Sequence, residues 1–169
     1  MFFRQFLRRI GVDLDRSDPD PNRYDLGKLR AIIREDATRY IVTSQRRIDI
    51  TIDFGDARIG IENKPWAGEQ PDQLKDYAAH LAKRYQGNFQ LVYLAGDGTT
   101  PQTSPEQQQE DLSKKRRFVV WTYRLDLQPR IEFCAKECEA ENVRWFLQDF
   151  AAYMAETGTG VASPPMGEP

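Results

Sequence analysis

Residues 46–77 read "RRIDITIDFGDARIGIENKPWAGEQPDQLKDY", and this stretch decides the fold. Two runs of alternating apolar and polar residues flank Gly55-Asp56. A glycine-first pair suits a two-residue type II′ hairpin turn, because glycine tolerates positive φ at the first central position. That turn sets the register: Phe54 faces Ala57, Ile52 faces Ile59, Ile50 faces Ile61 and Asp49 faces Glu62. One face then carries Ile48, Ile50, Ile52 and Phe54 against Ile59 and Ile61. The other carries Asp49, Thr51 and Asp53 against Arg58, Gly60, Glu62 and Lys64. A slip of one residue would turn the isoleucines to the wrong side, so the apolar pattern and the turn chemistry support each other.

The register sets two carboxylates opposite one another, with Cβ atoms about 4.5–5.5 Å apart, which ordinarily destabilises a sheet. Three arrangements offset the repulsion: one carboxyl is protonated, Lys64 neutralises the pair, or a divalent cation lies between them. Lys64 is two residues beyond Glu62 and on the same face. Oxygen ligands without a nearby His or Cys, and an open side at Gly60, favour Mg²⁺ or Mn²⁺ over zinc. In that reading Asp49, Glu62 and the backbone carbonyl of Asn63 are the metal ligands. Phosphodiester hydrolysis needs such an ion, to activate water and offset charge developing at phosphorus, with Lys64 orienting or activating the nucleophile. An isolated Glu-x-Lys is more often a solvated surface pair. Register, acid pair and the helix that follows together favour the site.

That helix is "QPDQLKDYAAHLAKRYQ", with Leu74, Tyr77, Ala78, Leu81 and Tyr85 on one side, Pro71 near its start and Gly87 past its end. Beyond it, "FQLVYLAGDG" reads as a buried strand, "TTPQTSPEQQQEDLSKK" as a loop and "RFVVWTY" as another strand. "CAKECEAENVRWFLQDFAAYMAE" reads as one long helix with Val143, Phe146, Leu147, Phe150 and Met154 inward. Upstream, "FFRQFLRRIG" is expected to be a short amphipathic helix and "SDPDPN" a loop. "YDLGKLRAIIREDATRYIVTS" is expected to be helical through Leu26, Leu29, Ile32 and Ile33, then extended in "RYIVTS". The order is that of an α/β fold, a central mixed β-sheet flanked by helices.

With 169 residues, 40% hydrophobic and 30% charged, the chain supports one core. Residues 1–156 are expected to form the domain, and 157–169, rich in Gly, Pro, Ser and Thr, a disordered tail or linker stub. Twenty-four Lys and Arg against twenty-six Asp and Glu leave a net charge of −2, so no global field advertises nucleic acid. Local basic groups do occur at residues 8–9, 46–47 and 114–117. Cys134 and Cys138 read as small core residues. No apolar run approaches a membrane span, and a cytoplasmic location is expected. His80, the only histidine, gives no support to histidine-based cleavage.

These residues resemble the motifs of the PD-(D/E)xK nuclease superfamily. Asp49 in "RRIDI" is similar to its metal-binding Asp, Glu62-Asn63-Lys64 to its E-x-K, and Gln73 with Tyr77 to the Q-x-x-x-Y of its exonuclease-like branch. The resemblance implies a restriction-endonuclease-like core and Mg²⁺- or Mn²⁺-dependent cleavage of DNA, more than RNA. It also implies work in phage defence or genome processing, as a homo-oligomer or within a larger complex. It makes Asp49, Glu62, Lys64 and Gln73 the catalytic candidates and adds Glu35 as an upstream acidic metal position. Gln73, Tyr77, Arg47 and Trp66 are the candidates for substrate contact; Trp66 could stack on a base. Relatives often carry more helix at the N-terminus. The competing reading is therefore a catalytically idle nuclease-fold module that only binds nucleic acid.

Overall fold

A computed structural model describes residues 24, 26–38, 46–65, 70–96, 109–112 and 117–157. The hairpin forms as its turn chemistry requires. Strand β2 (Arg47–Asp53) runs antiparallel to β3 (Arg58–Lys64), pairing Ile50 with Ile61, Thr51 with Gly60, Ile52 with Ile59 and Asp53 with Arg58. Phe54 N–H donates to Ala57 O at 3.0 Å across the turn, and Gly55 has φ +90°. The Asp53 carboxylate accepts the Gly55 N–H at 2.7 Å, which pins the corner.

Helix α1 (Gln73–Tyr85) carries the chain over the sheet to β4 (Phe89–Ala95), which lies parallel to β3, and β5 (Phe118–Thr122) lies parallel to β4. Every residue of β4 is buried, which explains its continuous apolar run: it is flanked by strands on both edges and layered on both faces. The outer edge of β2 is covered by β1 (Ala31–Ala37), antiparallel, from Ala31 opposite Asp53 to Ala37 opposite Arg47. The five strands thus form a mixed sheet in the order β1-β2-β3-β4-β5.

Strand β1 corrects an expectation: Ile32 and Ile33, expected in a helix, lie in this strand. Local preference there is weak, since β-branched residues fit a pleated surface. The open edge of β2 offers backbone donors and acceptors that a neighbouring strand satisfies. Tertiary pairing therefore decides. The expected strand in "RYIVTS" and the amphipathic helix at residues 2–11 lie outside the described residues.

The sheet has a core on each face. On one side Ile52, Phe54, Ile59, Val92, Leu94 and Trp121 pack against α2 (Gln128–Lys136) and α3 (Glu141–Thr157) through Ile131, Ala135, Leu147, Ala151 and Met154. On the other side α1 covers Ile48, Leu91 and Tyr93 with Leu74, Tyr77, Ala78 and Leu81. Ile48 thus lies on the α1 side, not with Ile52 as strict alternation predicts. The β1–β2 pairs step from Arg34–Ile50 to Asp36–Ile48, over Glu35, whose φ is +50°, and Asp49. The break in pleat falls at the candidate metal ligand.

The single long helix expected at 134–156 is two helices. The chain turns between Lys136 and Glu141, the buried Cys138 fills the corner, and Arg144 donates to the Cys138 carbonyl at 3.2 Å. The buried stripe of α3 is Leu147, Ala151 and Met154, with Phe150 half-buried. Val143 and Phe146 face out instead of in, Phe146 at 65% exposure and stacked on Phe150. One face of α3 suffices to close the layer, so the remaining apolar residues are left outside. Cys134 and Cys138 are both buried and unbridged.

Candidate active site

The side of the hairpin that reads as polar in sequence is covered by α1, so Thr51, Arg58 and Glu62 are buried, with Glu62 at 5% exposure. A polar group in such a place must be matched by partners, and α1 supplies them along one stripe. Gln73 opens the helix and Tyr77 follows four residues later on the same face. Gln73 Nε2 donates to Glu62 Oε1 at 2.7 Å and lies 2.8 Å from the Tyr77 hydroxyl. Lys64 Nζ reaches the same Glu62 Oε1 at 2.8 Å. The Tyr77 hydroxyl donates to the Arg47 carbonyl at 2.6 Å, tying α1 to the start of β2.

Asp49 sits where the two hairpin strands part, just past the Ile50–Ile61 pair. Its Oδ2 accepts the Asn63 N–H at 2.7 Å, taking over a backbone donor of β3. The Asp49 carboxylate is therefore held at Asn63, the residue after Glu62 along β3.

Glu62 is the strained member of the group. Burial pushes its carboxyl up from the ordinary value near 4.5, and the neighbouring Asp49 charge adds to the rise, while Lys64 opposes it. Its Oε2 is buried without a hydrogen-bond partner. The Tyr77 hydroxyl is near enough to favour the charge weakly, but its proton is directed to Arg47. Tyr77 is pushed far above the ordinary phenol range by burial and by the Glu62 charge, so it stays a neutral donor.

A pH dependence follows. A carboxyl whose pKa is higher folded than unfolded holds its proton more tightly in the native state, so stability falls as pH rises through that interval. In chelator, the melting temperature should decline from about pH 4.5 upward through the raised Glu62 value, and Glu62→Gln should remove this part of the decline and melt higher at neutral pH. Thermal scans of both proteins across pH test this. A wild-type protein that gains stability relative to Glu62→Gln over that interval would contradict the assignment.

The remaining candidates are arranged differently. Glu35 pairs with Arg47 at 2.9 Å, both about two-thirds exposed, so these two side chains engage each other at the surface edge. Trp66 lies outside the described residues. Among the described residues, no three His, Cys, Asp or Glu side chains gather as a metal-binding group.

Three features escaped sequence reasoning. Arg46 is spent internally: its guanidinium meets Asp76 at 2.7 Å, Gln70 Oε1 at 3.2 Å and the Pro71 carbonyl at 2.5 Å, clamping the start of α1 to β2. Arg58, at 1% exposure, binds Asp53 at 3.0 Å and Asp36 at 3.3 Å and lies over the Tyr85 ring. Tyr123 donates its hydroxyl to Asn63 Oδ1. Only the Arg58–Asp53 pair was legible in advance, from the hairpin register; Arg46 and Tyr123 act across sequence separations that no local pattern encodes. His80 is buried beneath the sheet, and burial pushes its pKa down.

Among the described residues no helix is long and apolar enough to cross a membrane. No curated protein and no solved structure matches the chain significantly. A family model described as "PD-(D/E)XK nuclease superfamily" matches residues 1–156. The match spans most of the chain and includes the hairpin, α1 and the mixed sheet with its flanking helices, and on this basis the protein belongs to the PD-(D/E)xK nuclease superfamily.

Proposed function

We infer that this protein is a metal-dependent nuclease that hydrolyses phosphodiester bonds of DNA. The observation that carries the reading is Glu62: buried, raised in pKa by its surroundings, and with Oε2 buried and lacking a hydrogen-bond partner. Burying a carboxylate this way costs stability, and such costs gather at functional sites. An oxygen left open beside a second carboxylate suits a hard divalent cation, Mg²⁺ or Mn²⁺. Asp49, Glu62 and the Asn63 carbonyl would hold it. The bound ion would supply a Lewis acid at the reacting phosphate.

The chain's own groups do the rest. Lys64, half-buried and hydrogen-bonded to Glu62 Oε1, keeps an ammonium beside the place where negative charge develops on phosphorus, and it can orient the attacking water. Gln73 bridges Glu62 and Tyr77 and so holds the carboxylate in one rotamer. Tyr77 locks that bridge to the backbone of β2. Arg47, exposed at the strand start, is the candidate for contact with the phosphate backbone.

Incubating the purified protein with closed circular and linear DNA, in Mn²⁺ and in chelator, tests the reading. Cleavage in Mn²⁺ that chelator abolishes is the expected result; nicked circles would mark an endonuclease, loss of linear DNA alone an end-dependent enzyme. Salt-sensitive DNA binding with no cleavage in either metal would leave the idle binding module in its place.

A further inference from the structure

The geometry points to Tyr123 as a positioning residue that orients Asn63, the middle residue of the Glu-x-Lys motif, so that its backbone carbonyl faces the cation. The inference rests on the reading of Asp49, Glu62 and Asn63 as cation donors. Asn63 is held from two ends: Asp49 Oδ2 takes its backbone N–H at 2.7 Å, and the Tyr123 hydroxyl donates to its side-chain Oδ1. These two bonds hold the Asn63 amide N–H and side chain, and the pairing of Lys64 with Ala95 in β4 holds the peptide that follows. That peptide carries the candidate carbonyl.

The element that presents Tyr123 is built for fixity. Tyr123 directly follows β5 and begins a single π-helical turn, Tyr123–Leu127, a form found in short pieces and often at functional sites. Thr122 caps the turn by accepting the Leu125 N–H at 2.9 Å, and the Asp126 carboxylate accepts the Thr122 N–H at 2.7 Å. Arg130 donates back to the Asp126 carbonyl while its guanidinium lies 4.3 Å above the Trp121 ring. Trp121 is buried in the core between the sheet and the helices α2 and α3. The phenol is thus braced by the core and not by a mobile loop.

The Tyr123 ring packs against the core, but the hydrogen bond from its hydroxyl adds little to folding. Asn63 is exposed, so water would satisfy its amide equally well, and an exposed neutral hydrogen bond adds little to stability. Its effect is orientation: groups that hold a metal ligand in place are worth roughly ten- to a hundredfold in metal affinity.

The test uses the full chain and Mn²⁺, with free ion read from its electron paramagnetic resonance signal. Wild type should bind Mn²⁺ and Glu62→Gln should not. Tyr123→Phe should weaken binding about tenfold with the melting temperature in chelator unchanged. Asn63→Ala should weaken it similarly, and the double variant should be no weaker than Asn63→Ala alone, since both substitutions break one contact. In cleavage assays Tyr123→Phe should raise the Mn²⁺ concentration for half-maximal rate by the same factor and recover the wild-type rate at saturating metal. Unaltered Mn²⁺ affinity in Tyr123→Phe, additive losses in the double variant, or a lowered melting temperature in chelator would each overturn the inference while the cation reading stands. A wild-type protein that takes up no Mn²⁺ defeats the cation reading and this inference with it.

Discussion

Replacing Lys64 by alanine is expected to lower the rate of DNA cleavage by at least about a thousandfold, the scale on which charge stabilisers and proton-handling groups act in a transition state. Lys64 contacts Glu62 Oε1 and no other ionic partner among the described residues, so its ammonium is committed to this one place. Metal binding should survive the change. The donors assigned to the cation are Asp49, Glu62 and a carbonyl, and removing a neighbouring positive charge leaves them more attractive to a second one. The decisive comparison is therefore a split: Lys64→Ala keeps the rise in melting temperature on adding Mn²⁺ and loses turnover, whereas Glu62→Gln loses both. Retention of more than about a tenth of the wild-type rate in Lys64→Ala would remove the lysine from the mechanism.

The second large effect concerns stability. Arg58→Met should cost roughly 3–5 kcal/mol, because it leaves the carboxylates of Asp36 and Asp53 without their cation in a partly desolvated place. Arg58 is 1% exposed, and the two carboxylates that bind it are about one-sixth exposed each. Its guanidinium also covers the Tyr85 ring at the end of α1. The network reaches further, since Asp36 accepts the Thr51 hydroxyl at 3.0 Å and Asp53 accepts the Gly55 N–H. Urea denaturation of Arg58→Met measures the loss, and adding Asp36→Asn and Asp53→Asn to the same chain should restore part of it by removing the stranded charges. A midpoint shift worth less than about 1 kcal/mol would mean that solvent reaches these groups and that the ion pairs are of the weak surface kind.

Local rules carry the hairpin. Gly55-Asp56 specifies the turn, the turn specifies which residues face each other, and the isoleucines confirm it by period, so the pairing from Ile50–Ile61 to Asp53–Arg58 could be written down from the chain alone. The helix from Gln73 was legible because glycine and proline punctuate it and its apolar residues recur at helical spacing. The mixed α/β architecture followed from the order of these elements, and the motif resemblance of Asp49, Glu62, Lys64, Gln73 and Tyr77 agrees with the family match over residues 1–156.

Where local preference was nearly balanced, the three-dimensional surroundings chose. Strand β1 formed because β2 had an edge to satisfy, and the C-terminal helix divided because a buried Cys138 and an arginine-capped carbonyl turned the chain. Ile48 changed sides because the pleat breaks at Asp49 and Glu35, which alternation cannot foresee. Sequence also left open whether the charged side of the hairpin faced water. It does not: α1 closes over it, burying Glu62 and Arg58 and forcing each to find partners.

Residue types and their spacing along the chain determined which groups belong to the candidate site, since short-range geometry converts spacing into facing positions. The tertiary structure alone decided their protonation tendency, their partners and the bracing by Tyr123, because burial and contacts between distant segments exist only once the layers have packed.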